Sequence, residues 1–423
     1  MPISVEEAQR LVLEHAAALP AEDVPVAEID GRIAAAPLQA RWDLPQRDVS
    51  IMDGYAVRSL DVATLRACSS ALVLTVRGES AAGHPSDAPL GEGHAARIST
   101  GAVLPAGSDA VIAQEDTRRE GDRLVIDGDS LGTLEPGTFV RPAGSELREG
   151  DVVARVGRRF GPGDIALLAG SGHATVPVHR RPTVAILSTG DELVPVGQRP
   201  DPGQVVSSNG LVLAAMVRRA GAIPIDLGQV DDEPERLRAA LARGLEHDVL
   251  VTSGGISVGD HDLVHAALMA LGARVVFRGV ALRPGKPTTF AVTDGARAFG
   301  LPGNPASSLV AFVLFVHPLL RRLLGVRGDP RSATMRVRLH APARGAGNRA
   351  HYVRARLIDT QPLDGGTEGP LAQPLSVQQS GDPCSIAGAD LLLALPPGAG
   401  TLPAGSQVDA LVLDPSSAEQ PEP

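Results

Sequence analysis

Between Thr183 and Leu324 the chain alternates short, unbroken apolar runs with amphipathic segments, and this alternation constrains the fold more than any other feature. The runs cover Thr183–Leu187, Ala222–Leu227, Asp248–Thr252, Arg274–Phe277, Thr289–Val292 and Ala298–Leu301. Helical periods fall between them at 210–220, 232–245, 263–271 and 305–324. A strand that is apolar at every position has no face to show water. The pattern therefore predicts a doubly wound α/β domain, a parallel sheet covered by helices on both faces. Gly221 stops one helix, and Asp232 with Glu235 has capping-box spacing at the start of the next. Ligands of such sheets bind beyond the carboxyl ends of the strands.

The flanking texture is different. Residues 3–19 place Val5, Ala8, Leu11, Val12 and Leu19 on one helical stripe, with Ser4 and Glu7 spaced as a capping box. From 48 to 160 the signals are short β-type runs separated by Gly, Pro, Asp and Ser clusters, with a short helix at 163–169. After Arg327-Gly-Asp-Pro-Arg331 the β texture returns at Met335–Leu339, Val353–Leu357, Leu391–Leu395 and Val408–Val412, which predicts a small all-β C-terminal domain.

Net charge is −10, from 39 basic and 49 acidic residues, which argues against a general affinity for nucleic acid or anionic lipid. Two cysteines, Cys68 and Cys384, are too few for a disulfide framework and suit a reducing compartment. The charged, helically spaced N-terminus does not read as a targeting segment. Leu309–Leu320 is shorter than the ~20 residues that span a bilayer, so it is expected to be a buried helix. The expectation is a cytoplasmic, multidomain enzyme or binding protein.

Three glycine-rich loops leave strands of the α/β segment: Ser188-Thr-Gly-Asp-Glu-Leu193, Ser253-Gly-Gly-Ile-Ser-Val-Gly-Asp-His-Asp262 and Leu301-Pro-Gly-Asn-Pro-Ala-Ser307. Successive glycines beside Ser and Thr let backbone N–H groups converge on an anion, and a helix N-terminus adds its dipole. Glu192, Asp260 and Asp262 bring carboxylates to the same rim, which suits a hydrated Mg²⁺ bridging phosphate oxygens. One such loop is explained as a strand-to-helix turn; three on one sheet edge point to a phosphate-bearing ligand. There is no P-loop, no G-x-G-x-x-G and no nucleophile elbow. Asp260, His261, Asp262 and His265 do not make a transition-metal site, because no further His or Cys motif completes one.

Six segments, in order, carry a resemblance: Ser50-Ile-Met-Asp-Gly-Tyr-Ala56, Arg97-Ile-Ser-Thr-Gly-Ala102, Leu104-Pro-Ala-Gly-Ser-Asp-Ala-Val111 and the three loops above. Together they resemble the molybdopterin molybdenumtransferase family, the metal-insertion enzymes of molybdenum-cofactor synthesis related to the C-terminal part of gephyrin. The resemblance runs from the first helix to the C-terminal β domain. It implies an elongated N-terminal part at 1–47 and 140–172, an inserted β domain at 48–139, an α/β molybdopterin-binding domain at 173–329, a C-terminal β-barrel at 330–414 and a disordered tail at 415–423. It also implies a homodimer, with transient contacts to molybdopterin adenylyltransferase and to molybdoenzyme acceptors, and neither nucleic acid nor membrane as partner.

The activity so implied places molybdenum from molybdate on adenylylated molybdopterin and releases AMP, with Mg²⁺ present. By motif position the catalytic candidates are Asp53, Thr100, Glu192 and Asp262, with Glu192 and Asp262 as candidate Mg²⁺ ligands. The substrate-binding candidates are Ser188, Thr189, Gly190, Gly254, Gly255, Ser257, Arg283, Lys286, Pro302, Gly303 and Asn304, with one of the pair Asp231 and Asp232. Lys286 fits a phosphate or molybdate contact. The chain departs from the family at Arg283-Pro-Gly-Lys286, where Lys-Pro-Gly-Lys is usual, and at Glu146, where Asp is common. Its segment Gln379–Ser385 matches only loosely, leaving Ser380, Ser385 and Arg354 as candidates for an oxyanion contact. Two alternative functions share parts of this pattern. A molybdopterin adenylyltransferase resembles 173–326 alone and commonly shows Gly-Gly-Thr-Gly where this chain has Gly254-Gly-Ile-Ser-Val-Gly259. A non-catalytic, gephyrin-like scaffold has no need of the carboxylates.

Overall fold

The computed structural model describes residues 2–68, 72–126, 132–255, 263–359 and 370–413. Its central sheet has six strands in the order Ile223–Val230, Thr183–Thr189, Val249–Ser253, Arg297–Leu301, Thr289–Val292, Arg274–Arg278. The first four are parallel. Thr289–Val292 runs antiparallel to both neighbours, so the sheet is mixed where the sequence suggested a purely parallel one. The connection explains it. Only Thr293–Ala296 separates this strand from Arg297–Leu301, far less than a crossover helix needs, and Thr293 N donates to Ala296 O at 2.9 Å to close a hairpin.

Both faces of the sheet are covered. Val184, Ile186, Val249, Val251, Phe290 and Phe299 face Leu213 and Val217 of helix Asn209–Arg219 and the long helical run Pro305–Leu323. Ala185, Leu187, Leu250, Ala291 and Ala298 face helices Pro234–Gly244 and Leu263–Ala270. The strict alternation along Val184–Leu187 is the two-residue period of a strand buried on both sides. Two local readings need correction. Helix Pro234–Gly244 is capped by Glu233, whose carboxylate accepts from the N–H groups of Glu235 and Arg236, and not by Asp232. The run 305–324 is not one uniform α-helix: a π-helical turn occupies Phe312–Val316. By length and apolarity Pro305–Leu323 could cross a membrane, yet it lies in the core, as expected for the Leu309–Leu320 stretch.

The opening helix Val5–Glu14 has the expected Ser4 cap, with Glu7 N donating to Ser4 Oγ at 3.1 Å, but the Glu7 carboxylate turns to Arg10 instead of completing a capping box. Its buried stripe of Val5, Ala8 and Val12 packs on the α/β core. The elongated part gathers around Ile29, Leu38, Phe160, Leu168, Val176 and Val178, where Ala21–Pro25 pairs with Thr175–His179. Inserted in it is a second six-stranded sheet, ordered Ala110–Ala113, Gly54–Val57, His94–Ile98, Leu72–Ser80, Arg123–Ile126, Thr117–Glu120. This region also holds a helix, Ser59–Cys68, where only β-type runs were expected. Its N-terminal anchor is remote: Ser59 N donates to Asp109 Oδ1 at 2.7 Å, a contact no local window contains.

Five strands close the C-terminal barrel, running Ala350–Asp359, Leu371–Pro374, Thr334–Leu339, Gln407–Val412, Leu391–Leu395 and back to the first. Leu282–Arg283 leaves the α/β domain and lies parallel on Ala350 and His351, so the segment carrying Arg283 and Lys286 forms the seam between the two domains.

Candidate active site

The first and third strands of the α/β segment end side by side, Ser188 opposite Ser253, and the strand ending at Leu301 lies next to Ser253. Their loops therefore share one edge. Ser188, Thr189 and Ser253 are buried there, and the Thr189 hydroxyl has no partner among the described residues. Gly254 and Gly255 both take positive φ, +98° and +66°. A Cβ on Gly254 would stand 2.2 Å from Thr189 O, and one on Gly255 2.6 Å from Thr189 Oγ1. Only glycine lets the two loops close this tightly, with Gly254 N donating to Leu301 O at 3.1 Å. Ser257, Asp262, and with them Asp260 and His261, lie outside the described residues.

Beside this edge sits an acidic corner. The Glu192 carboxylate folds back over Gly190, where a Cβ would meet its Oε2 at 2.4 Å. Asp191 accepts from Asp232 N at 2.9 Å, and Asp231 pairs with Arg236 at 2.8 Å. Asp232 Oδ1 is buried without a partner among the described residues. Burial, then the charges of Asp191, Glu192 and Asp231, push its pKa above the ordinary carboxylate value. The structure thus separates a pair the sequence left equal: Asp231 is exposed and spent on a salt bridge, Asp232 is half-buried and unsatisfied. Hard oxygen donors around an orphaned carboxylate oxygen suit Mg²⁺, which binds through one or two carboxylates and keeps several waters. Among the described residues no three His, Cys, Asp or Glu side chains form a cage of their own.

Across the seam, Arg354 is fully buried, at 0% exposure. Its Nε donates to Ser385 O at 3.2 Å and its Nη2 reaches Gln379 O at 3.5 Å, while Nη1 has no partner among the described residues. The hydroxyl of Ser385, also 0% exposed, likewise has no partner among the described residues. Burial, then the nearby Arg283 charge, lowers Arg354 to about 10, which leaves it cationic at neutral pH. A buried cation and a buried hydroxyl with spare donors form a site that an oxyanion would satisfy. Asn304 links this loop to the α/β edge: its Nδ2 donates to Ser380 Oγ at 3.1 Å, and Ala306 N donates to Ser380 O at 3.1 Å. Arg283 and Lys286 are exposed at the same seam. Glu146, the other departure, pairs with Arg141 at 2.7 Å in the elongated part, away from this chemistry.

Asp53 and Thr100 meet each other but not this edge. Asp53 lies in the turn before Gly54–Val57, and its hydrogen bonds among the described residues stay within the inserted domain. Gly54 is obligatory in that turn, since a Cβ would stand 2.0 Å from Ile112 O. Tyr55 is buried under Arg97, whose guanidinium carbon lies 5.2 Å above the ring and whose Nη2 donates to Gln114 at 2.8 Å.

Sequence reasoning missed one residue of this edge. Asn209, in Ser207-Ser208-Asn209-Gly210, bonds both the Ser253 and the Gly303 loops. Nothing in its sequence setting marks it. Lys286, already a candidate from its motif, carries a further signal: it is the only lysine in 423 residues, against 38 arginines. A chain that meets almost every need for a cation with Arg retains the compact, strongly hydrated ammonium at one position.

Three glycine-lined strand-end loops, an acidic corner and buried unsatisfied donors at the barrel seam make this a multidomain protein whose candidate site lies at the carboxyl ends of the strands of its α/β domain. Residues 3–172 match the family described as MoeA N-terminal region (domain I and II), 185–322 the "Probable molybdopterin binding domain", and 336–413 the MoeA C-terminal region (domain IV). The molybdopterin molybdenumtransferase of Nostoc sp. is 42% identical over 77% of this chain and 74% of its own length. That of Bacillus subtilis is 35% identical over 97% of this chain and 94% of its own. The crystal structure of the molybdopterin biosynthesis MoeA protein from Pyrococcus horikosii superposes with a TM-score of 0.83 at 34% identity, covering 98% of this chain and all of that one. The chain belongs to the molybdopterin molybdenumtransferase family.

Proposed function

We propose that this chain is a molybdopterin molybdenumtransferase that inserts molybdenum from molybdate into adenylylated molybdopterin and releases AMP, acting with Mg²⁺ as a cytoplasmic homodimer. The observation that carries this reading is the pair of fully buried donors Arg354 and Ser385, partly unsatisfied among the described residues, near Arg283, whose seam segment also carries the sole lysine, Lys286. A tetrahedral dianion such as molybdate would supply the missing acceptors. The glycine-lined loops would hold the phosphates through backbone N–H groups, so that the dithiolene end of the pterin is turned toward the seam.

Glu192 and Asp232 would hold Mg²⁺, which when bound neutralises charge on the phosphoanhydride. The chain's own residues do the rest. The Thr189, Gly254 and Gly255 loop orients the phosphates, Lys286 balances their charge, and Arg354 with Ser385 fixes the oxyanion. In the overall change two molybdenum–sulfur bonds form as one oxide of molybdate leaves as water with the two thiol protons, molybdenum keeping its oxidation state, and one water is added across the P–O–P bond as AMP leaves. The test is incubation of purified protein with adenylylated molybdopterin, molybdate and Mg²⁺, following AMP release and activation of an apo-molybdoenzyme. AMP release without activation, or neither, would refute the assignment.

A further inference from the structure

Asn209 opens helix Asn209–Arg219, yet no side chain caps that helix. Asn at a helix start commonly turns its oxygen back onto the helix's own N–H groups. Here the amide nitrogen points outward, donating to Ser253 Oγ at 2.7 Å and to Gly303 O at 2.6 Å. A carbonyl can only accept, so Gly303 dictates which way the amide faces. Both Nδ2 hydrogens are therefore used to bridge the loop after Val249–Ser253 to the loop after Arg297–Leu301. Among the described residues the strands beneath pair Ser253 with Leu301, Gly254 N donates to Leu301 O at 3.1 Å, and Ser253 Oγ donates to Pro302 O at 3.4 Å; the Asn209 bridge is the contact that reaches past them to Gly303. The third loop meets the same point, because a Cβ on Gly210 would stand 3.4 Å from Ser188 Oγ.

We infer that Asn209 is a positioning residue for the phosphate-bearing substrate, its amide setting the distance between the 253–255 and 302–304 loops whose backbone holds the phosphates. The inference rests on the substrate reading proposed above. Anion binding by converging N–H groups depends steeply on their spacing, so a relaxed bridge weakens binding without unfolding the sheet beneath. Asn209→Asp keeps the side-chain shape but loses both donors and sets a carboxylate oxygen against the Gly303 carbonyl. Asn209→Ala removes the bridge, and Ser253→Ala removes half of it.

AMP affinity by calorimetry, KM and kcat for AMP release, and melting temperature separate the possibilities. The expected result is a rise of at least tenfold in AMP Kd and in KM for both Asn209 variants and a smaller rise for Ser253→Ala. kcat should change less than KM, and the melting temperature should stay close to wild type. Lower melting temperatures with Kd and KM unchanged would overturn the inference and leave Asn209 a structural residue. If Asn209→Asp does not fold, Asn209→Ser and Ser253→Ala carry the same comparison. Wild-type protein that binds neither AMP nor adenylylated molybdopterin would instead overturn the substrate reading itself, and Asn209's role with it.

Discussion

Asp53 Oδ1 accepts two hydrogen bonds from Thr100, one from the backbone N–H at 2.7 Å and one from the hydroxyl at 3.0 Å. The backbone bond, then the hydroxyl, holds the Asp53 carboxyl below its ordinary pKa, so it is ionised across the neutral range. Both residues are exposed. This charged carboxylate is held in one orientation at a surface, with no hydrogen bond to the α/β edge of its own chain among the described residues; in the homodimer proposed above it would meet that edge on the second copy.

Mixed dimers test this. Asp53→Asn and Glu192→Gln homodimers should each be nearly inactive. If sites form between subunits, a heterodimer collects both lesions in one site and leaves the other intact. Random mixing should then recover about a quarter of wild-type AMP release, because about half the dimers are mixed and each has one good site. No recovery, with subunit exchange verified by differently tagged chains, would sink the shared site.

Lys286 is a point charge in a chain that otherwise uses Arg. Lys286→Glu should weaken adenylylated molybdopterin binding by about 2 kcal/mol or more, since attraction becomes repulsion. Lys286→Arg should also bind more weakly, because a planar fork does not replace a compact ammonium. Calorimetry giving wild-type affinity for Lys286→Glu would take Lys286 out of the site.

Arg354 is a buried cation for which no carboxylate partner occurs among the described residues. Replacing a buried charge by an apolar chain of similar size is often neutral or stabilising. Arg354→Met should therefore melt at or above the wild-type temperature while losing molybdate binding by at least about tenfold. Retained molybdate after gel filtration of this variant, measured by elemental analysis, would contradict the oxyanion assignment.

Asp232 is raised by burial and by its acidic neighbours. The folded protein thus holds that proton more tightly than the unfolded chain. Ionised Asp232 costs stability above its folded pKa, and stability climbs as pH falls through that value toward the ordinary carboxylate pKa of 3.8. Asp232→Asn should remove this slope, raise the melting temperature at pH 7 by about 1–3 °C, and cut AMP release by about tenfold or more. Scanning calorimetry from pH 4 to 8 on both proteins reads the difference; equal slopes would show that Asp232 is not the strained carboxylate.

His317 works in the opposite sense. Burial, then Arg321, lowers it from 6.5 to about 4, and its Nδ1 lies 3.1 Å from Ser332 Oγ beyond the hinge. The neutral ring is favoured in the fold, so its contribution is fully present above pH 6.5 and is lost as pH falls through about 4. The loss approaches about 3 kcal/mol at the acid limit. His317→Gln should flatten that part of the stability profile, as followed by denaturant titrations between pH 7 and 4.5.

Much of this molecule is legible in the chain itself because its signals are local. Unbroken apolar runs such as Thr183–Leu187 announce strands buried on both faces, and glycine-rich segments directly after them announce anion-binding turns. What was illegible depends on partners distant in sequence or on connection length. One strand of the sheet reverses because the link 293–296 is too short for a crossover. Helix Ser59–Cys68 takes its anchor from Asp109, fifty residues on. Asp231 and Asp232 are chemically identical neighbours, and only burial and the position of Arg236 separate a spent carboxylate from a strained one. The sequence by itself determined the class of fold and the six motifs, since these are written in residue type and spacing. Tertiary structure alone decided that Asn209 bridges two loops and that Arg354 and Ser385 are left with unsatisfied donors, because hydrogen-bond satisfaction is a property of packing and has no local code.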